Sequence, residues 1–238
     1  MRKVLLLLAC MIISRFVAAQ EMTHAYQHWY TYFGTMKINN KWTVPFDIQG
    51  RIKDGISKQG QLLMRGGLQY AINKQHYVLL GYAFVPTYNA VSNTWLPEHR
   101  LFEQYIYKER SLDMTHRVRL EQRWVAQPSG PGAKAAIGNW KYGNRLRYFN
   151  RTQLPLKHKA APTPFYIALQ EEIFMNLWGN NINNLFFDQN RFLLAFGYQI
   201  NPAIKADIGY MNQLVQGGNG NKTMNHILHF AVIHAFSL

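Results

Sequence analysis

The chain of 238 residues contains a single cysteine, Cys10, so no disulfide can form within it and no cluster of thiolates can hold a metal. Carboxylates are scarce: 12 Asp and Glu face 26 Lys and Arg, for a formal charge of +14. Beyond the first twenty residues no uninterrupted apolar run approaches the roughly 20 residues that a spanning helix needs. If the remaining chain crosses a membrane, it must cross as a barrel.

Residues 1–19, MRKVLLLLACMIISRFVAA, supply the one long apolar run. They have a basic start at Arg2 and Lys3 and small residues at Val17, Ala18 and Ala19, the pattern of a secretory signal cleaved before Gln20. The apolar core is too short for a spanning anchor and ends at Arg15. A lipoprotein signal at Leu7-Leu8-Ala9-Cys10 would leave an even shorter core. Two regions follow: a signal peptide at 1–19 and one domain at 20–238, large enough to bury a core without cross-links. Export argues against nucleic acid as the partner of the positive charge. Anionic lipid head groups, lipopolysaccharide phosphates or a small anionic solute suit it better.

The stretch HRVRLEQRWV, 116–125, sets Arg117, Arg119, Glu121 and Arg123 on alternate positions. On a strand they share one face, and Val118, Leu120, Gln122 and Trp124 share the other. Alternation of this kind, with Gly, Asn and Pro between runs, predicts strands near 25–36, 41–52, 61–73, 76–86, 99–109, 115–126, 142–152, 164–176, 188–200, 203–214 and 225–237. Most exceed the usual 5 to 6 residues and match the roughly 9 to 11 of a tilted membrane strand. Phe192, Leu194, Phe196, Tyr198 and Ile200 form the longest apolar series, opposite Gln189, Arg191, Gly197 and Gln199. Trp29, Tyr30, Tyr32, Trp42, Tyr82, Tyr105, Tyr107, Trp124, Trp140 and Tyr142 fall near strand ends, as interfacial girdles require.

Connections alternate in length. Those at 38–40, 73–75 and 201–202 are tight, whereas 53–60, 87–98, 127–141, 177–187 and 215–224 are long, the pattern of short periplasmic turns and long outer loops. The last run, ILHFAVIHAFSL, then descends as a closing strand, ending at Leu238 where an aromatic residue is more usual. Eleven runs conflict with the even strand number of bacterial barrels, and the run at 25–36 is the odd one. The expected fold is therefore all-β, a single antiparallel transmembrane β-barrel of about ten strands, with twelve as the alternative.

In a narrow barrel the charged face points inward. The expected lumen network comprises Asp47, Arg51, Arg65, Glu103, Arg117, Arg119, Glu121, Arg123, Arg145, Arg147, Glu172 and Arg191. Its plain role is structural, through ion pairs that close the barrel. Its sharper role is an anion-preferring passage or binding site, because the cations outnumber the carboxylates.

The ordered segments MRGGLQY (64–70), EHRLFEQ (98–104), HRVRLEQRW (116–124), NRLRY (144–148), EEIFMN (171–176), FDQNR (187–191) and GYMNQ (209–213) resemble an uncharacterised outer-membrane β-barrel family of Bacteroidota (domain of unknown function 2490). The resemblance covers nearly the whole chain after the signal. It implies an outer-membrane barrel and brings with it no reaction and no established site.

No catalytic constellation emerges. Ser111, Asp113 and His116 are close in sequence but belong to a short periplasmic turn, and His226 and His234 lie on the face opposite His229. Gly217-Gly218-Asn219-Gly220-Asn221 lacks the strand and helix that flank a phosphate loop. The expectation is an outer-membrane protein that is not an enzyme and needs no cofactor or metal. It would be monomeric, surrounded by outer-membrane lipids and lipopolysaccharide and placed there by the barrel-assembly machinery. The alternatives are a soluble periplasmic barrel that binds an apolar ligand, with every face reversed, and an outer-membrane lipid-modifying enzyme.

Overall fold

The computed structural model describes residues 22–54, 58–130, 137–158 and 161–237. The signal-peptide reading and Leu238 lie outside the described residues. Eleven long strands form a closed ring. In chain order they are β1 (Met22–Lys37), β2 (Trp42–Lys53), β3 (Lys58–Ala71), β4 (His76–Phe84), β7 (Glu98–Glu109), β8 (Met114–Pro128), β9 (Ile137–His158), β10 (Ala161–Asn176), β11 (Phe187–Gln199), β12 (Ile204–Gln216) and β13 (Lys222–Ser237). A small hairpin, β5 (Thr87–Asn89) and β6 (Thr94–Leu96), occupies the connection before β7 and pairs with β3 through Gln61 and Thr87.

The odd strand number has a specific cause. Neighbours pair antiparallel around the ring except at the seam, where β1 and β13 run parallel from Met22 beside Lys222 to Lys37 beside Ser237. β1 thus descends from the long-loop end, and its following turn joins the other short turns. The connection read as long at 53–60 is corrected to 54–57, no longer than the turns at 38–41 and 72–75; the other long connections fall at the end where β1 starts, and the parallel seam absorbs the strand that parity appeared to forbid.

Three short turns share an Ile-Asn pair and one solution to their backbone donors. In each, the Asn side chain accepts from the second and third amides beyond it: Asn39 from Lys41 and Trp42, Asn73 from Gln75 and His76, Asn201 from Ala203 and Ile204, at 2.9 to 3.0 Å. Local side-chain acceptors of this kind close a turn without a second strand's help.

The outside is apolar and banded. Ile48, Leu68, Leu80, Leu101, Val118, Leu194, Phe196, Ile208, Leu228 and Val232 all point away from the lumen and are exposed. Tyrosine and histidine flank them in hydrogen-bonded pairs. Tyr32 and His234 (2.8 Å), His76 and Tyr105 (2.5 Å), and His116 and Tyr148 (2.8 Å) stand toward the short turns; Tyr82 and His99 (2.5 Å) and Tyr210 and His226 (2.6 Å) stand toward the long loops. On β13, His226 and His234 are separated by about 26 Å of strand at ~3.3 Å per residue. A tilt of about 40° reduces this to roughly 20 Å of height, near the ~25 Å apolar band of a membrane barrel. Trp29, expected in a girdle, is instead buried in the lumen.

Candidate functional site: a charged lumen

The strand pairings place Asp47, Arg51, Arg65, Arg117, Arg119, Glu121, Arg123, Arg145, Arg147, Glu172 and Arg191 on inward faces. Glu103 is the exception and is corrected to the outside. It alternates with the inward residues Phe102 and Gln104, is exposed, and accepts from Gln122 at 3.1 Å. The run at 99–109 mixes polar and apolar residues on both faces, so alternation alone could not orient it.

Two carboxylates organise the middle of the lumen. Glu121 accepts from Arg145 Nε and Nη2 at 3.0 and 2.7 Å and from Arg147 Nη1 at 2.5 Å, with Arg119 Nη1 at 3.6 Å. Glu172 accepts from Arg117 at 2.8 Å and Arg147 at 2.6 Å and lies 3.5 Å from Arg191. Arg147 therefore bridges the two. Glu121, Arg119, Arg145, Arg147 and Glu172 are each 5% exposed or less, so the barrel is filled at this level.

Other inward charges extend the network. Glu98 takes Arg100 at 2.7 and 2.9 Å and Arg123 at 2.6 Å, Asp188 takes Arg145 at 2.8 Å, and Asp207 takes Arg151 at 2.5 Å together with the Tyr166 hydroxyl. On β2, Asp47 pairs with Arg65 at 2.7 Å and accepts from Gln49 at 2.8 Å, and Gln49 in turn accepts from Arg51 at 2.8 Å.

Sequence reasoning missed Glu98, Arg100, Arg151, Asp188 and Asp207. Arg151 and Asp207 were within reach, since each continues a period of two: Arg145, Arg147, Phe149, Arg151 on β9, and Asp207, Gly209, Met211, Gln213 on β12. Asp188 was not. A register shift at Phe174/Met175 leaves Asp188 unmatched between Phe187 and Gln189, so two consecutive residues both turn inward, as a bulge allows.

The lumen also holds apolar patches. One consists of Leu63, Leu79, Ala83, Val85 and Phe102; another of Trp29, Tyr166, Ala168, Leu193, Ala195, Met211 and Ile227. Inward glycines make room for the rings. A Cβ on Gly81 would lie 2.3 Å from the Phe102 ring, and one on Gly197 would lie 2.1 Å from the Tyr166 ring.

Six of the lumen arginines lie over aromatic faces: Arg51 over Trp29 at 3.9 Å, Arg117 over Phe149 at 4.0 Å, Arg119 over Phe102 at 4.2 Å, and Arg147, Arg191 and Arg145 over Phe174 at 4.4, 4.6 and 5.1 Å. Counted by name, the inward arginines exceed the inward carboxylates among the described residues.

The remaining candidates do not converge. Ser111 donates to Glu109, whereas His116 pairs with Tyr148 on the outer face. His226 and His234 face outward, and His229 faces inward near Thr31 at 3.4 Å. Among the described residues no three His, Cys, Asp or Glu side chains gather as a metal site.

Residues 26–225 match the family described as protein of unknown function (DUF2490). The chain belongs to that family. An uncharacterised protein of Methylorubrum extorquens is 26% identical over 191 residues, covering 76% of this chain and 75% of its own. Among solved structures, the NanC porin in a rhombohedral crystal form aligns over 83% of this chain and 89% of its own, at 12% identity and a TM-score of 0.45. The DUF2490 match spans every ring strand from within β1 to within β13.

Proposed function

We propose that the chain is a monomeric, integral outer-membrane β-barrel whose lumen selects small anionic solutes, by binding or by narrow passage, and does not act as a wide diffusion pore. The observation that carries this reading is the excess of arginine over carboxylate inside a closed barrel. Cations that lack a protein counter-charge in a low-dielectric interior raise the affinity for anions and repel cations. The filling around Glu121 argues against free diffusion, because arginine side chains must shift before a solute can pass. The outward apolar band and its Tyr-His girdles support a lipid surround, and the export signal read at residues 1–19 supports the outer membrane as destination.

Two experiments test the reading. Fractionation of the expressed protein, followed by a heat-dependent gel shift in mild detergent, should place a heat-modifiable band in the outer membrane; a protein soluble without detergent would overturn it. In planar bilayers, any conductance should favour anions, and replacing Arg117 and Arg119 together by Gln should lower that preference. Unchanged selectivity in the double variant would remove these arginines from the passage.

A further inference from the structure

We propose that the long-loop mouth of the lumen holds an oxyanion site for a small carboxylate or phosphate solute, with Arg51 as its charged anchor. The inference rests on the reading of the lumen as anion-selecting. A pocket of about 300 Å³ opens at the mouth between the first residues of β1 and β13 and the last residues of β2 and β12, with Gln27, Lys53, Thr223 and Asn225 among its walls. Asp54, in the same wall, is ion-paired to Lys58 at 2.6 Å. The amides of Gln27 and Asn225 are joined at 2.9 Å, and Trp29 Nε1 donates to Gln27 at 2.9 Å.

Arg51 stands opposite Trp29 in the β1–β2 register, one inward position below the Gln27–Lys53 pair, or about 7 Å along the strand. Every other inward arginine among the described residues has a carboxylate within 4.0 Å, and Arg51 has none among them. Among the described residues its Nη atoms donate only to the neutral amides of Gln61, at 2.5 Å, and Gln49, and its Nε is buried without a partner there. Arg191 lies 5.1 Å from the same Trp29 ring, and its carboxylate, Glu172, is shared with Arg117 and Arg147. Two guanidinium groups thus flank one indole with little opposing charge. An oxyanion entering from the pocket would replace neutral acceptors on Arg51 by a charged one, and charge-assisted hydrogen bonds are roughly twice as strong.

The test is equilibrium dialysis of the detergent-solubilised barrel against labelled inorganic phosphate and, separately, labelled acetate at constant ionic strength. Each variant is first shown to be folded by the heat-dependent gel shift. Saturable uptake of one or both anions is expected, and which of them saturates assigns the head group. Arg51→Gln should weaken it about tenfold or more, Arg51→Lys should weaken it less, and Arg110→Gln, on the exposed turn after β7, should leave it unchanged. Uptake without saturation, or saturation unaltered in Arg51→Gln, would overturn the site. If Arg51→Gln binds normally while the bilayer preference for anions persists, the mouth site fails and the lumen reading stands. Saturable, Arg51-dependent binding in a barrel without anion preference would keep the site and sink the lumen reading.

Discussion

Replacing Glu121 and Glu103 separately by glutamine sets the same chemical change on opposite faces of the barrel. At Glu121 the loss is large. The carboxylate is 1% exposed and receives Arg145 and Arg147 at 2.5 to 3.0 Å, with Arg119 at 3.6 Å. Glutamine keeps the shape but removes the charge, and its amide nitrogen presents a donor to a cluster made of donors. Removing one partner of a buried pair costs about 3 to 5 kcal/mol, because the other charge stays buried without compensation. Here several guanidinium groups lose their centre at once, which places the effect toward the upper end. The folded-to-unfolded ratio should drop by roughly two to four orders of magnitude at ~1.4 kcal/mol per tenfold. At Glu103 the carboxylate faces outward, with one contact to Gln122 at 3.1 Å. Neutralising this exposed, outward carboxylate should leave stability within about 1 kcal/mol of the parent, or raise it if that face meets lipid. Urea titration of the refolded barrel, followed by the heat-shifted band, reads both midpoints. Equal losses, or a larger loss at Glu103, would refute the assignment of faces and favour a barrel turned inside out.

Two other substitutions probe the same architecture by different physics. Leu80 is 62% exposed on the outward face of β4, and Leu80→Arg should cost about 2 to 4 kcal/mol in lipid vesicles if that face meets the bilayer interior; an unchanged urea midpoint would take it out of the membrane. A Cβ added at Gly81 would lie 2.3 Å from the Phe102 ring and 2.8 Å from the Gly66 carbonyl, whereas one at Gly50 meets nothing within 4 Å. Gly81→Ala should therefore lose about 1 to 3 kcal/mol by overpacking while Gly50→Ala shifts the midpoint little, and equal midpoints would show that the lumen wall yields.

Most of the fold was legible because the strands of a barrel carry their orientation in a period of two. The eleven runs read from alternation all became ring strands, displaced by a few residues at their ends; β9 alone is much longer than its run at 142–152. Strand number was harder. The parity rule assumes antiparallel closure, and nothing local in β1 or β13 states that their seam is parallel, since pairing direction is a property of both strands together. In the lumen, uniform faces such as Arg117 to Arg123 oriented themselves. The mixed run at 99–109 did not, and there the preference for a carboxylate counter-charge selected Glu103 when the pairing selects Glu98. Asp188 was hidden by the bulge, and Trp29 by the habit of reading tryptophan near a strand end as interfacial.

The chemistry of the guanidinium explains how so much charge of one sign fits inside. A planar, weakly hydrated cation can offer its edge to carboxylates and amides while laying its face on a ring. Arg147 does both, donating in its plane to Glu121 and Glu172 while stacked on Phe174. Lysine, a compact and strongly hydrated point charge, has no such second surface. The two kinds of contact also differ in how firmly they hold. A desolvated cation–π contact contributes about 2 kcal/mol, whereas breaking a buried ion pair costs about 3 to 5. Arginines fixed by two carboxylates, such as Arg145 and Arg147, are therefore the rigid part of the lumen. Arg51, held by amides and the Trp29 face alone among the described residues, is the part that an anion can recruit at the least cost. The charge excess and the weakest anchoring coincide in this residue, at the end of the barrel where the long loops open.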